Sequence, residues 1–310
     1  MSTINIFDMK CELAIAMRDV VEARHQFKKA QAILSEHGIS EGRSFMSGLR
    51  SHFEDVLKHY FEEKSRELTR LHADGTPAEV SLDSRFYSFE HMPSFMYYDS
   101  HLRENSDDRY IRQEAWHKLQ DAETQEAEAS AQVRVMCEAL DYLNWEGIKN
   151  DLESQANSLA SEGRRLVAET VVNQLSMKHR FHEPKFKSGR FIFSTYSTSW
   201  MQNHDKMREV HKLIDALNKI TQETGFVFGH ALHVLNHEIQ NLGYDKEQIA
   251  SRTILCKGDP IEVRCFKEKY EYRFTQDAFE AIQAFISLYG GDAEIDAVMN
   301  TAQLAQPKAA

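Results

Sequence analysis

The chain has 310 residues, enough to bury one or two ordinary cores. Hydrophobic residues make up 42% and charged residues 27%, the balance of a soluble folded protein, and a formal net charge of -11 argues against wholesale coating of nucleic acid or of an anionic membrane. Only 5 prolines and 13 glycines favour long helices over a strand-and-turn architecture, and no apolar run is long enough for a transmembrane helix.

From about Met9 to Glu36, Leu13, Met17, Val20, Phe27 and Leu34 recur at helical spacing, and Gly38 sits where a C-terminal cap belongs. A second helical pattern runs from about Ser44 to Leu71 through Leu49, Phe53, Leu57, Tyr60 and Phe61, so an antiparallel helical hairpin is expected. The opening MSTINIFDMKCEL lacks the basic region and apolar core of a signal peptide. Cys11, Cys137, Cys256 and Cys265 stand far apart with no CxxC spacing, which reads as reduced thiols in the cytoplasm of a bacterial host cell.

The stretch ADGTPAEVS from Ala73 is a loop. An aromatic segment follows at residues 84–101, broken by Pro93, and reads either as an irregular plug of the core or as a platform for bases. Helix resumes from about Asp107 to Met177, with Asn144 as an N-cap before Trp145. After Met177 the character changes: Lys178, Arg180, Lys185, Lys187 and Arg190 stand against the single acid Glu183. RFIFSTYS reads as a strand, Met207 to Ile220 as an amphipathic helix, and IEVRCFKEKYEYRF as a hairpin turning near Glu268. A last helix from about Gln276 to Tyr289 ends at Gly290-Gly291, and the tail is expected to fray after Ala302. The expected fold is therefore α+β and mainly α: a helical region over residues 1–177, a small α+β unit with a C-terminal hairpin and helix over 178–300, and a flexible tail over 301–310.

Two stretches carry candidate chemistry. In GHALHVLNHE, a wheel at about 100° per residue puts Phe228, Leu235, Ile239 and Leu242 within about 80° of Leu232. His230, His233 and His237 fall opposite, at about 160°, 100° and 140°. His233 and His237 have the spacing of two metal ligands and His230 lies less well for a third, so a divalent metal would need a ligand from elsewhere. The second stretch is the basic segment, where Lys178, Arg180, Lys185, Lys187 and Arg190 interleave with Phe181, Phe186 and Phe191. Cations attract phosphate and rings stack on bases, and Arg264 and Lys267 on the hairpin, with Lys269 and Arg273, extend the patch. The bland alternative is a junction with core aromatics and solvated cations. No phosphate loop, nucleophile elbow or HExxH pattern occurs, so no catalytic residue is assigned.

Pro184-Lys185-Phe186-Lys187-Ser188-Gly189-Arg190 is similar to a Pro-Phe-Lys-x-Gly-Lys-Arg stretch of a bacterial family, domain of unknown function 4942, with Lys185 inserted. Val263-Arg264-Cys265-Phe266-Lys267 and Phe274 resemble that family's closing hairpin, although Glu268-Lys269-Tyr270 replaces its Asn-Gly-Asn tip. The resemblance implies an accessory protein of a phage or other mobile element, engaged in DNA-linked work. Three functions are therefore expected in order. The first is a non-enzymatic protein that binds DNA or RNA or a host nucleic-acid-processing complex. The second is a protein-binding inhibitor of a host defence system or toxin, acting through an acidic helical surface. The third is a metal-dependent hydrolase built on His233 and His237. No membrane partner and no organic cofactor is expected.

Overall fold

The computed structural model describes residues 4–36, 49–83, 130, 133–134, 136–178, 183–196, 203–242, 249–266 and 269–305. Gly38, the aromatic segment at 84–101, residues 107–129, Arg180 and Lys267 lie outside the described residues. Two compact units divide the chain: residues 1–72 with 79–157, and residues 73–78 with 158–310. The fold is α+β and mainly α. Among the described residues no helix is long and apolar enough to cross a membrane.

The first unit is helical. Helix α1 (Ile6–Glu36) buries Met9, Leu13, Met17 and Val21, a strict i,i+4 row, and α2 (Leu49–His72) buries Phe53, Leu57, Phe61 and Leu68. Val21 takes the core place that spacing had suggested for Val20, because the row advances by four residues at each step. The two helices pair as expected: Tyr60 on α2 donates its hydroxyl to Glu12 on α1 at 2.6 Å, and Lys64 pairs with the same carboxylate at 3.3 Å. A short 3-10 turn (Leu140–Tyr142) precedes α3 (Trp145–Gln174). Asn144 caps α3 as its sequence position predicts, its side chain accepting from the Gly147 amide at 3.0 Å. The division between units falls inside α3, whose residues from Ser158 onward belong to the second unit.

The second unit sets a five-stranded antiparallel sheet against helices. Its strands are β1 (Lys185–Lys187), β2 (Arg190–Tyr196), β3 (Ile254–Leu255), β4 (Ile261–Cys265) and β5 (Lys269–Thr275), in the order β1-β2-β5-β4-β3. Between them run α4 (Asn203–Thr224) and α5 (Ala231–Gln240); α6 (Gln276–Tyr289), α7 (Asp292–Ala302) and a 3-10 turn (Gln303–Ala305) close the described chain. Alternation splits each strand between two faces. Phe191, Phe193, Val263, Tyr272 and Phe274 enter one apolar cluster with Val171 of α3, Leu217 of α4, Leu235 of α5 and Phe279 of α6. Phe191 stacks on Phe279 with ring centroids 4.0 Å apart.

Three elements of this unit go beyond the sequence reading. Strand β1 pairs with β2 through a two-residue turn, where Ser188 and Gly189 both have positive φ (52° and 71°), the requirement of a type I′ hairpin. Helix α7 follows Gly290-Gly291, Thr301 is buried with its hydroxyl donating to the Ala297 carbonyl at 2.8 Å, and Ala302 and Ala305 pack against the apolar cluster while Gln303 and Leu304 are exposed. The 73–78 loop belongs to the second unit and lies directly on α3: a Cβ on Gly163 would meet Thr76 Oγ1 at 1.8 Å.

Candidate nucleic-acid interface

The register of the sheet determines which side chains share its second face, the one opposite the apolar cluster. One row across the strands reads Lys187, Arg190, Thr275; the next reads Lys185, Ile192, Arg273, Glu262; the third reads Ser194, Glu271, Arg264, Ile254. Lys269 stands in the fourth row beside Phe266, whose amide donates to its carbonyl at 2.9 Å. Among the described residues, six cations, Lys185, Lys187, Arg190, Arg264, Lys269 and Arg273, therefore share the face with two acids, Glu262 and Glu271. In a chain of net charge -11, this is a local surplus of four positive charges on one face.

These cations are held differently. Glu262, with 9% of its side chain exposed, pairs with Arg190 at 3.3 Å and with Arg273 at 3.4 Å, and accepts from the Gly258 amide at 2.9 Å. Arg190 also donates Nη1 to the carbonyls of Asp259 at 2.9 Å and Arg273 at 3.1 Å. Its guanidinium is thus a cross-strand brace, reaching over β5 to the β3–β4 turn. Lys269 pairs with Glu271 at 2.8 Å, and Lys269 Nζ and the Arg264 guanidinium lie 4.9 and 5.7 Å from the Phe266 ring centroid. Lys185 and Lys187 are exposed on the edge strand β1 and make no ion pair among the described residues. The Nε atoms of Arg264 and Arg273 are buried without a hydrogen-bond partner among the described residues.

The structure brings together Lys185, Lys187, Arg190 and Arg264 from the sequence-level set and separates two others from it. Phe186 lies on the core face, its ring 4.9 Å from Phe191, so it packs inward while its lysine neighbours point away. Lys178, just past α3, forms an ion pair with the buried Glu294 in the first turn of α7. That contact holds the Glu294 carboxyl below the usual carboxylate range. Glu262 and Glu271 were not legible as part of the patch, since their faces depend on register.

The histidines take the positions the wheel assigns. His233 and His237 are exposed on α5 while Leu232, Leu235 and Ile239 are buried, and His230 is the N-cap residue ahead of the helix. The His230 and His233 rings are 6.4 Å apart, and His237 contacts Asn241 Nδ2 at 3.0 Å. Among the described residues no group of three or more His, Cys, Asp or Glu is placed to hold a metal ion. Cys11 is exposed, Cys137 and Cys256 are half-buried, and Cys265 is buried, all as free thiols; burial pushes the Cys265 thiol up to about 12.

A second charged cluster was missed altogether. In the second unit, Lys219 on α4 has 5% of its side chain exposed and donates to the Asp74 carbonyl at 2.6 Å. It pairs with Glu223 at 3.3 Å, while Arg164 on α3 reaches Glu223 at 2.8 Å and Asp74 at 2.6 Å. Two cations and two carboxylates balance, so the cluster straps the 73–78 loop to α3 and α4. A cleft of about 460 Å³ beside it is lined by Thr76, Thr170, Lys212, Asp215, Lys219 and Gln222 among others.

Comparison of the chain with protein-family models, curated proteins and solved structures finds no match.

Proposed function

We propose that this protein binds nucleic acid through the charged face of the sheet in its second unit. The observation that carries the reading is the register-defined surplus of cations on that face within an acidic chain. Lys185 and Lys187 supply exposed positive charge at the edge, while Arg190 and Arg273, braced by Glu262, keep the neighbouring strands in register. The reading is a non-enzymatic one, an accessory protein of a phage or other mobile element, and the similarity of residues 184–190 to a mobile-element family supports that setting. Ultraviolet cross-linking of the full-length protein to a labelled oligonucleotide, followed by peptide mapping, tests it. Cross-linked peptides should contain residues of β1, β2, β4 or β5; cross-links confined to the first unit would contradict the proposal.

A further inference from the structure

Resting on the reading just given, we infer that the charged face recognises the phosphate backbone and not the bases, so that its ligand is a nucleic acid of any sequence. Sequence is read at base edges, whereas phosphate contacts position a protein without sequence information and stacking on rings tolerates any base. Alternation sends most of the sheet's rings away from the charged face, while Tyr196 registers with Lys269 in its fourth row. Phe186, Phe191 and Phe274 share one core row with Ile261, and Phe193 and Tyr272 share another with Val263. Of the aromatic residues that make this segment look like a stacking platform, Phe186 and Phe191 are therefore committed to the apolar cluster, and Phe181 lies outside the described residues.

Phe266 is the aromatic side chain described on the charged face, and two cations already lie over its ring. No asparagine or glutamine, the side chains that pair with adenine, occupies a described position in the four rows. Three arginines on the face have the bidentate fork that reads guanine: Arg190 and Arg273 are engaged with Glu262, Arg190 also with backbone carbonyls, and Arg264 is half-buried with its guanidinium over the Phe266 ring. The exposed cations of the face are Lys185 and Lys187, two residues apart on the same face of β1 and about 6.6–6.8 Å from one another along the strand. Lysines act on phosphate as point charges and do not specify a base by shape.

The test is fluorescence anisotropy of the full-length protein with labelled oligonucleotides: homopolymer and mixed-sequence single strands, and A·T-rich and G·C-rich duplexes, each over a salt series. Within the single strands and within the duplexes, affinities should agree to about threefold at fixed salt, and log K should fall linearly with log salt. The Lys185→Ala/Lys187→Ala variant should lose about two from the magnitude of that slope for every sequence alike. A preference above about tenfold for one sequence, with the salt dependence intact, would overturn backbone recognition while leaving nucleic-acid binding in place. Absence of binding to every oligonucleotide at about 50 mM salt would remove the functional reading itself. Anionic lipid vesicles that bind as tightly as the oligonucleotides would also overturn the inference, because the face would then be a general anion surface.

Discussion

At Glu262 a nearly buried carboxylate meets two guanidinium groups and a backbone amide, and both arginines depend on it for neutralisation. Removing one partner of such a group leaves the others desolvated and unpaired. Glu262→Ala should therefore lower stability by about 2–4 kcal/mol, read from the urea midpoint at unchanged slope. Lys185→Ala and Lys187→Ala, on exposed side chains, should each change stability by less than about 0.5 kcal/mol while weakening nucleic-acid binding. Arg190→Ala should lower both, since its guanidinium ties β2 to the β3–β4 turn. In the sequence, Arg190 and Lys187 look equivalent, two cations in one basic run. Their difference comes from what stands two strands away, and composition carries no record of cross-strand neighbours.

Among the elements, the 73–78 loop and α3 show how a single missing Cβ permits a contact. Gly163 lies within α3, where alanine would normally be favoured by about 1 kcal/mol. Here an added Cβ would fall 1.8 Å from Thr76 Oγ1 and 2.3 Å from Thr76 Cβ. Gly163→Ala should instead destabilise the protein by about 1–3 kcal/mol in thermal or urea denaturation, and Thr76→Gly in the same chain should restore most of the loss. An additive double variant would count against this packing. Helices α1, α2, α4 and α6 were legible because their apolar stripes repeat every three to four residues over many turns. Strand β1 is three residues long, too short for alternation to register, although Ser188-Gly189 was a usable turn signal. Helix α7 was hidden by Gly290-Gly291, which reads as a stop. In the structure Gly290 ends α6 and Gly291 is the N-cap of the next helix, where any Cβ would lie 2.9 Å from Glu294 Oε2.

Across the whole molecule, acid sensitivity follows from carboxylates paired within the second unit. Asp74 is held below the ordinary carboxylate range by Lys219 and then by Arg164, and Glu294 by Lys178. Burial alone would raise Glu223, but hydrogen bonds from Arg164 and Lys219 outweigh it and lower it as well. A depressed folded-state value means that the stabilisation is present above the ordinary carboxylate range and is lost as pH falls through the depressed values. Thermal denaturation should therefore show a transition temperature that drops as pH is lowered below about 4, with a shallower drop in an Asp74→Asn/Glu294→Gln variant. Equal slopes in the two proteins would show that these pairs do not contribute. Because this unit also carries the charged face, binding has to be measured near neutral pH, where its fold is intact. The α+β class, mainly α, was legible at this scale from helix periodicity and one alternating hairpin. The cations of the patch were legible as well, but not the two acids, Glu262 and Glu271, that set its net positive surplus, since their faces depend on register. The most direct test of that surplus is the affinity of wild-type protein and of Lys185→Ala/Lys187→Ala for one mixed-sequence duplex at about 50 mM salt, with transition temperatures recorded alongside. A loss of tenfold or more, at about unchanged transition temperature, is the expected result. Equal affinities of the two proteins would contradict the charged face as the binding surface.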